Sequence, residues 1–171
     1  MISEEIRNWS GKPKELVASL TKKIIEDDGL FSQLMDLMKT GSDVEKGTCA
    51  DVMKHITAEN PEIAAPYIDE LIGFIDYKAP RVKWGTQESI GNISRRFPDK
   101  VVKAIPKLLL NTGDGSTVVR WCAAYALTEI AKNNHVTRVE LVPIFNEFVE
   151  KEENNGVRNV YVKALKVIEK G

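Results

Sequence analysis

Helix-type apolar spacing returns four times along this chain at an almost constant interval, and few folds can use such a sequence. The clearest instance is Ser116 to Lys132, STVVRWCAAYALTEIAK, in which Val119, Ala123, Ala126, Leu127 and Ile130 form the single apolar stripe of an amphipathic helix. Equivalent stretches open at Val44, Val82 and Val157, giving spacings of 38, 37 and 38 residues between anchors. Eight positions after each anchor stand Val52, Ile90, Leu127 and Leu165; three positions after it stand Gly47, Gly85, Cys122 and Val160. A period of this size with helical periodicity inside each unit predicts an array of stacked helical hairpins.

A second apolar helix precedes each anchor, in 30–39, 61–75, 99–110 and 137–150. Three of these carry a proline: Pro66, Pro106 and Pro143. Proline removes a backbone donor and crowds the preceding turn, so these segments are expected to bend or to begin late. Asn60 and Asp99 are candidate caps. At the amino end a short helix and a Gly11 turn lead to Pro13, which suits the first position of a helix running to about Asp28 and covering the end of the stack. The Gly113-Asp114-Gly115 turn lacks the lysine and preceding strand of a phosphate loop and reads as a tight connection.

The segment VRWCAAYALTEI, with its valine-arginine pair, small residues and Ala-Leu-x-x-Ile ending, resembles the second helix of HEAT repeats. Basic residues follow the anchor in three units, Lys83, Arg120 and Arg158, while the first unit has Glu45 there. The resemblance, covering roughly 30–171, implies an all-α fold: a right-handed α-α superhelix, ARM-like, of about four helical hairpins with an N-terminal cap. The expected organisation is one domain, 1–171, with the cap in 1–29 and repeats in 30–58, 61–97, 99–133 and 137–170.

Composition narrows the functional classes. No apolar run approaches the roughly 18 residues of a membrane span, and MISEEIRNWSGKPKE has no signal-peptide pattern. A cytoplasmic location without membrane contact is therefore expected. Cys49 and Cys122 lie about two repeats apart, too far for a disulfide, and His55 and His135 have no companion ligands. Neither metal nor cofactor is expected. Net charge is −1, yet residues 1–78 carry 9 basic and 15 acidic side chains against 15 and 10 in 79–171. That asymmetry fits either a mixed solvated surface or a basic patch for an anionic partner.

In hairpin arrays the second helices line the concave side. With the apolar stripe inward, offsets 2, 6, 9 and 13 from each anchor point away from the core at about 100° per residue. They read Lys46, Ala50, Met53, Thr57; Trp84, Glu88, Gly91, Arg95; Trp121, Tyr125, Thr128, Lys132; and Asn159, Lys163, Lys166, Lys170. The expected binding face is thus Lys46, Trp84, Glu88, Arg95, Trp121, Tyr125, Lys132, Lys163 and Lys166. A register one residue off would instead bury the tryptophans between helices. Exposed aromatics and arginine among cations suit a non-catalytic scaffold holding an acidic or extended protein segment, as a monomer or weak homodimer. The alternative partner is a nucleic acid, with phosphates on the cations and bases on the indoles. In that direction Trp84-Gly85-Thr86-Gln87-Glu88-Ser89-Ile90 resembles a tract of the HEAT-like alkylpurine DNA glycosylases. There an acid four residues after a tryptophan stabilises charge on the departing lesion's sugar, a role that would fall to Glu88. Glutamate in place of the family's aspartate, and a shorter chain, are departures from that pattern.

Overall fold

A computed structural model describes the whole chain, Met1–Gly171. It is all helical: α1 (Ile2–Asn8), α2 (Pro13–Glu26), α3 (Phe31–Thr40), α4 (Asp43–Glu59), α5 (Pro61–Ala64), α6 (Ile68–Ile72), α7 (Pro80–Ile93), α8 (Ile105–Asn111), α9 (Thr117–Asn133), α10 (His135–Lys151) and α11 (Asn155–Lys170), with short 3₁₀ turns at Asp28–Leu30, Ala65–Tyr67 and Val102–Ala104. Helices α4, α7, α9 and α11 pack side by side as an inner layer, and α2 continues that layer at the amino end. The outer layer is α3, α5–α6, α8 and α10, each packed against the inner helix that follows it. The amino-terminal cap is a helix pair: Lys23 of α2 meets Glu5 of α1 at 2.5 Å, and α1 packs on α3.

The three prolines act differently. Pro66 splits the second outer helix into α5, a 3₁₀ turn and α6, and Pro106 follows a 3₁₀ turn so that α8 starts late. Pro143 lies inside an unbroken α10. The carbonyl left without its amide there belongs to Val139, a residue 75% exposed, where water can serve it. Caps fall at Ser42, Ser116, Asn134 and Asn154. Asn60 precedes Pro61 but turns its amide to Glu62, and Asp99 lies in a turn accepting from Asn134, so neither caps as expected.

The inner helices bury the predicted stripe, apart from the half-buried Leu165 and Ile168 of α11, and with one correction. Val82, Val119 and Val157 are buried, whereas Val44 is 72% exposed. The anchor place in α4 belongs to Glu45, after which Cys49, Val52, Met53 and Ile56 fall at offsets 4, 7, 8 and 11, all fully buried. The cause is local. Ser42 and Glu45 form a capping box, the Ser42 hydroxyl taking the Glu45 amide and the Glu45 carboxylate taking the Ser42 amide at 2.8 Å. The other carboxylate oxygen of Glu45 receives Arg7 of α1 at 2.6 Å, and both contacts hold this carboxyl below its ordinary range. A cap pair therefore stands where later repeats use valine, and the unit spacing becomes 37, 37 and 38.

Candidate functional site: the concave face

In the corrected register a basic residue follows the anchor in all four units: Lys46, Lys83, Arg120 and Arg158. The first three reach into the turn of the next repeat. Lys46 lies 3.4 Å from the Tyr77 hydroxyl and 4.7 Å from the centre of its ring, Lys83 pairs with Asp114 at 3.0 Å, and Arg120 takes both oxygens of Glu152 at 3.1 and 3.2 Å. The Ser116 amide and Lys83 hold the Asp114 carboxyl below its usual value. These contacts tie repeat to repeat. Lys46, expected on the binding face, belongs to this set: its place after the true anchor turns it toward the neighbouring turn. The Gly113–Gly115 segment is the connection expected, fastened through Asp114.

Small residues set the approach of the inner helices. A Cβ on Gly85 would stand 2.3 Å from the Ala50 carbonyl oxygen, and one on Gly91 would stand 2.7 Å from the Tyr125 ring. Ala50, Met53, Thr57, Gly91 and Thr128, read from sequence as facing away from the core into the hollow, are in fact buried. The first three were misplaced by the α4 register. Gly91 and Thr128, at offset 9, lie on an edge that the neighbouring repeat covers, as the Gly91 contact with Tyr125 shows.

The corrected columns are Gly47, Trp84, Trp121, Asn159 at offset 2; Asp51, Glu88, Tyr125, Lys163 at offset 6; and Ala58, Arg95, Lys132, Lys170 at offset 13. Asp51 is the member that the sequence reading missed; the Ser-x-x-Glu signature at Ser42 was the signal that could have exposed it. Trp121 is 38% exposed and its ring lies parallel to Tyr125, 5.8 Å between centroids and 1° between planes. Trp84 is half-buried, with its indole N–H enclosed and unpaired. The Tyr125 hydroxyl donates to Asn92 Oδ1 at 2.5 Å and accepts from Arg95 Nη2 at 3.0 Å. Asn92 in turn donates to the Lys54 carbonyl and the Thr57 hydroxyl of α4, so one hydrogen-bonded chain fixes the Tyr125 ring across three repeats. Burial pushes the Tyr125 phenol above its ordinary value, and Arg95 opposes that.

Charge on this face is mixed. Asp51 is paired with Lys54 at 3.2 Å, and Glu129 lies between Arg95 at 3.8 Å and Lys132 at 3.7 Å. Glu88 has no cation within 4.0 Å; its carboxylate faces the buried Cys122 thiol, Sγ to Oε1 3.7 Å. Burial, then Glu88, raises the pKa of that thiol, while burial pushes the Cys49 thiol up to about 12. Both cysteines are free. Lys163, Lys166 and Lys170 stand exposed and unpaired on α11, with Lys166 in the column that inner repeats cover with their neighbour. The structure therefore brings Trp84, Glu88, Arg95, Trp121, Tyr125 and Lys132 together and sets Lys163 and Lys166 at the far end.

At the opposite end a groove of about 870 Å³ opens between α2 and α4, with Val17, Ala18, Ile25 and Ala58 in its lining and Lys54 and His55 at its side. No group of three or more His, Cys, Asp or Glu side chains is placed to hold a metal ion, and no helix is long and apolar enough to cross a membrane.

This arrangement of two helical layers is shared with known repeat proteins. The chain is similar to a designed armadillo repeat protein in complex with the peptide (KR)4, with a TM-score of 0.73 and 21% identity, covering 93% of this chain and 77% of that one. An engineered protein of known structure gives a TM-score of 0.73 at 18% identity over 94% and 68% of the two chains. No protein-family model and no curated protein matches the sequence. The chain is an all-α solenoid of the armadillo/HEAT-like helical-repeat class.

Proposed function

We propose that this protein is a non-catalytic binding scaffold whose concave face holds an extended segment of a protein partner. The observation that carries this reading is the aromatic row: Trp84 and Trp121 at equivalent places on adjacent inner helices, with Tyr125 parallel to Trp121 and locked by Asn92 and Arg95. Large, rigid aromatics with an adjacent arginine are the usual energetic anchors of protein interfaces, because they desolvate much area at little entropic cost. The designed armadillo neighbour, whose described complex is with the peptide (KR)4, supports a peptide as the type of occupant.

Titrating tryptophan fluorescence with unstructured peptides tests the reading. A binding peptide should change the emission of wild type, and Trp121→Ala should weaken it by about 2 kcal/mol, roughly thirtyfold. An unaltered Kd in Trp121→Ala would remove the aromatic row from the site. Duplex DNA is the control: binding that falls steeply with salt would replace the peptide with a nucleic acid. Base release from alkylated DNA that Glu88→Gln abolishes would move the protein among the glycosylases.

A further inference from the structure

The concave face changes sign along its length, and we infer that it selects a segment carrying a basic residue near one end and acidic residues near the other. This rests on the reading above and specifies its partner. The column at offset 6 runs Asp51, Glu88, Tyr125, Lys163, from acid through aromatic to base. Pairing leaves Glu88 as the acidic pole. Asp51 is neutralised locally by Lys54, whereas Glu88, half-buried on α7 against Cys122 of α9, has no cation within 4.0 Å. A cationic side chain beside it would gain both its carboxylate and the faces of nearby aromatic rings.

Toward the carboxyl end the balance reverses. Lys132 of α9 and Arg95, just past the carboxyl end of Glu88's own helix, share the single carboxylate of Glu129, leaving one positive charge in excess. Lys163 and Lys170 then follow in the same columns on α11 with no carboxylate within 4.0 Å. An all-basic segment would meet repulsion there, and an all-acidic one would meet it at Glu88. From α7 to α11 is two helix steps, about 20 Å at 8–10 Å per step. An extended chain covers this in about six residues at roughly 3.3 Å each. The occupant thus places its basic residue about six positions from its acids.

Three kinds of twelve-residue peptide test this by isothermal titration at low salt. One is all-basic, one all-acidic, and one has lysine or arginine spaced six residues from a glutamate pair, made in both chain directions. The mixed peptide, in its better direction, should bind at least tenfold more tightly than either uniform one. The double variant Lys163→Glu/Lys170→Glu should weaken the mixed peptide at least fivefold while leaving the all-basic peptide unchanged or improved. Both lysines are exposed and unpaired, so the variant should keep its circular dichroism and melting temperature. If the all-basic peptide binds as well as the mixed one, the gradient is overturned while the scaffold reading stands. If no peptide changes heat or fluorescence, both fall.

Discussion

Two junctions of the inner layer, α4 with α7 and α2 with α4, differ in what they bring face to face. At the first, Gly85 lies so near the Ala50 carbonyl that a single added carbon would sit 2.3 Å from it. At the second, α4 turns His55 and Glu59 toward α2, and a groove of about 870 Å³ remains. Helices separate to the distance that their contact residues allow. Glycine opposite a backbone carbonyl closes the first junction; the second has no such close approach, and polar side chains line its groove. The closed junction sets how near α7, the first tryptophan-bearing helix, stands to α4, while the open one leaves a groove at the amino end.

The sharpest way to break this contrast is to put bulk into the closed junction. Gly85→Val should destabilise by about 3 kcal/mol or more, since the clash is with backbone and cannot be relieved by a rotamer change. Urea denaturation reads this directly, and a loss below about 1 kcal/mol would show that α4 and α7 can part cheaply. Gly85→Ala should give a smaller loss in the same direction.

Alkali probes the closed side in another way. Cys49 is fully buried in α4, and its thiol is shifted from an ordinary 9.0 up to about 12. A thiol kept protonated in the fold, but free to ionise in the unfolded chain, contributes its full stability below pH 9.0 and loses it as pH rises toward 12. Each such thiol should cost up to about 1.4 kcal/mol per pH unit in that window. Cys49→Ala should flatten the decline between pH 9 and 11 in melts, whereas His55→Gln, in the open groove, should not. An equal slope in wild type and Cys49→Ala would remove Cys49 as a source.

How legible was this from sequence? The period, the inward stripes of α7, α9 and α11, and the aromatic pair at Trp84 and Trp121 all follow from spacing. These features are set by local periodicity. The first unit was misread because Val44 imitates an anchor while Glu45, a polar residue, occupies the anchor place. Its partner Arg7 is 38 positions away and invisible to periodicity. The charge gradient was illegible for the same reason. Six basic residues against one acid, Glu88, along the rows suggested a basic, aromatic hollow, but Lys46 contacts Tyr77, and Arg95 and Lys132 are offset by Glu129. Which charges cancel depends on contacts between repeats, and the groove at α2 depends on a junction that no repeat pattern encodes.

Gly91 tests the middle case, in which the neighbour is a side chain. Its added carbon would stand 2.7 Å from the Tyr125 ring and 3.1 Å from the Ala126 Cα, and moving the ring strains its hydrogen bonds to Asn92 and Arg95 rather than a helix backbone. Gly91→Ala should cost about 1 kcal/mol of stability and weaken peptide binding more than that by disturbing the Trp121–Tyr125 stack. Equal loss in both measurements would mean that the stack's position does not matter to the occupant.

The smallest effect belongs to the open junction. Ala58 is exposed in the α2–α4 groove, with free volume beside it rather than a facing backbone. Ala58→Leu should change stability by no more than about 0.5 kcal/mol, because the added carbons enter unfilled space and both residues favour helix. Peptide affinity should be equally unmoved if the occupant lies across α7, α9 and α11. A tenfold loss of affinity in Ala58→Leu at unchanged stability would instead extend the binding path to α2. The groove would then be where the occupant's amino or carboxyl end is seated, and Asp51 and Lys54, which line both surfaces, would be the residues joining it to Glu88.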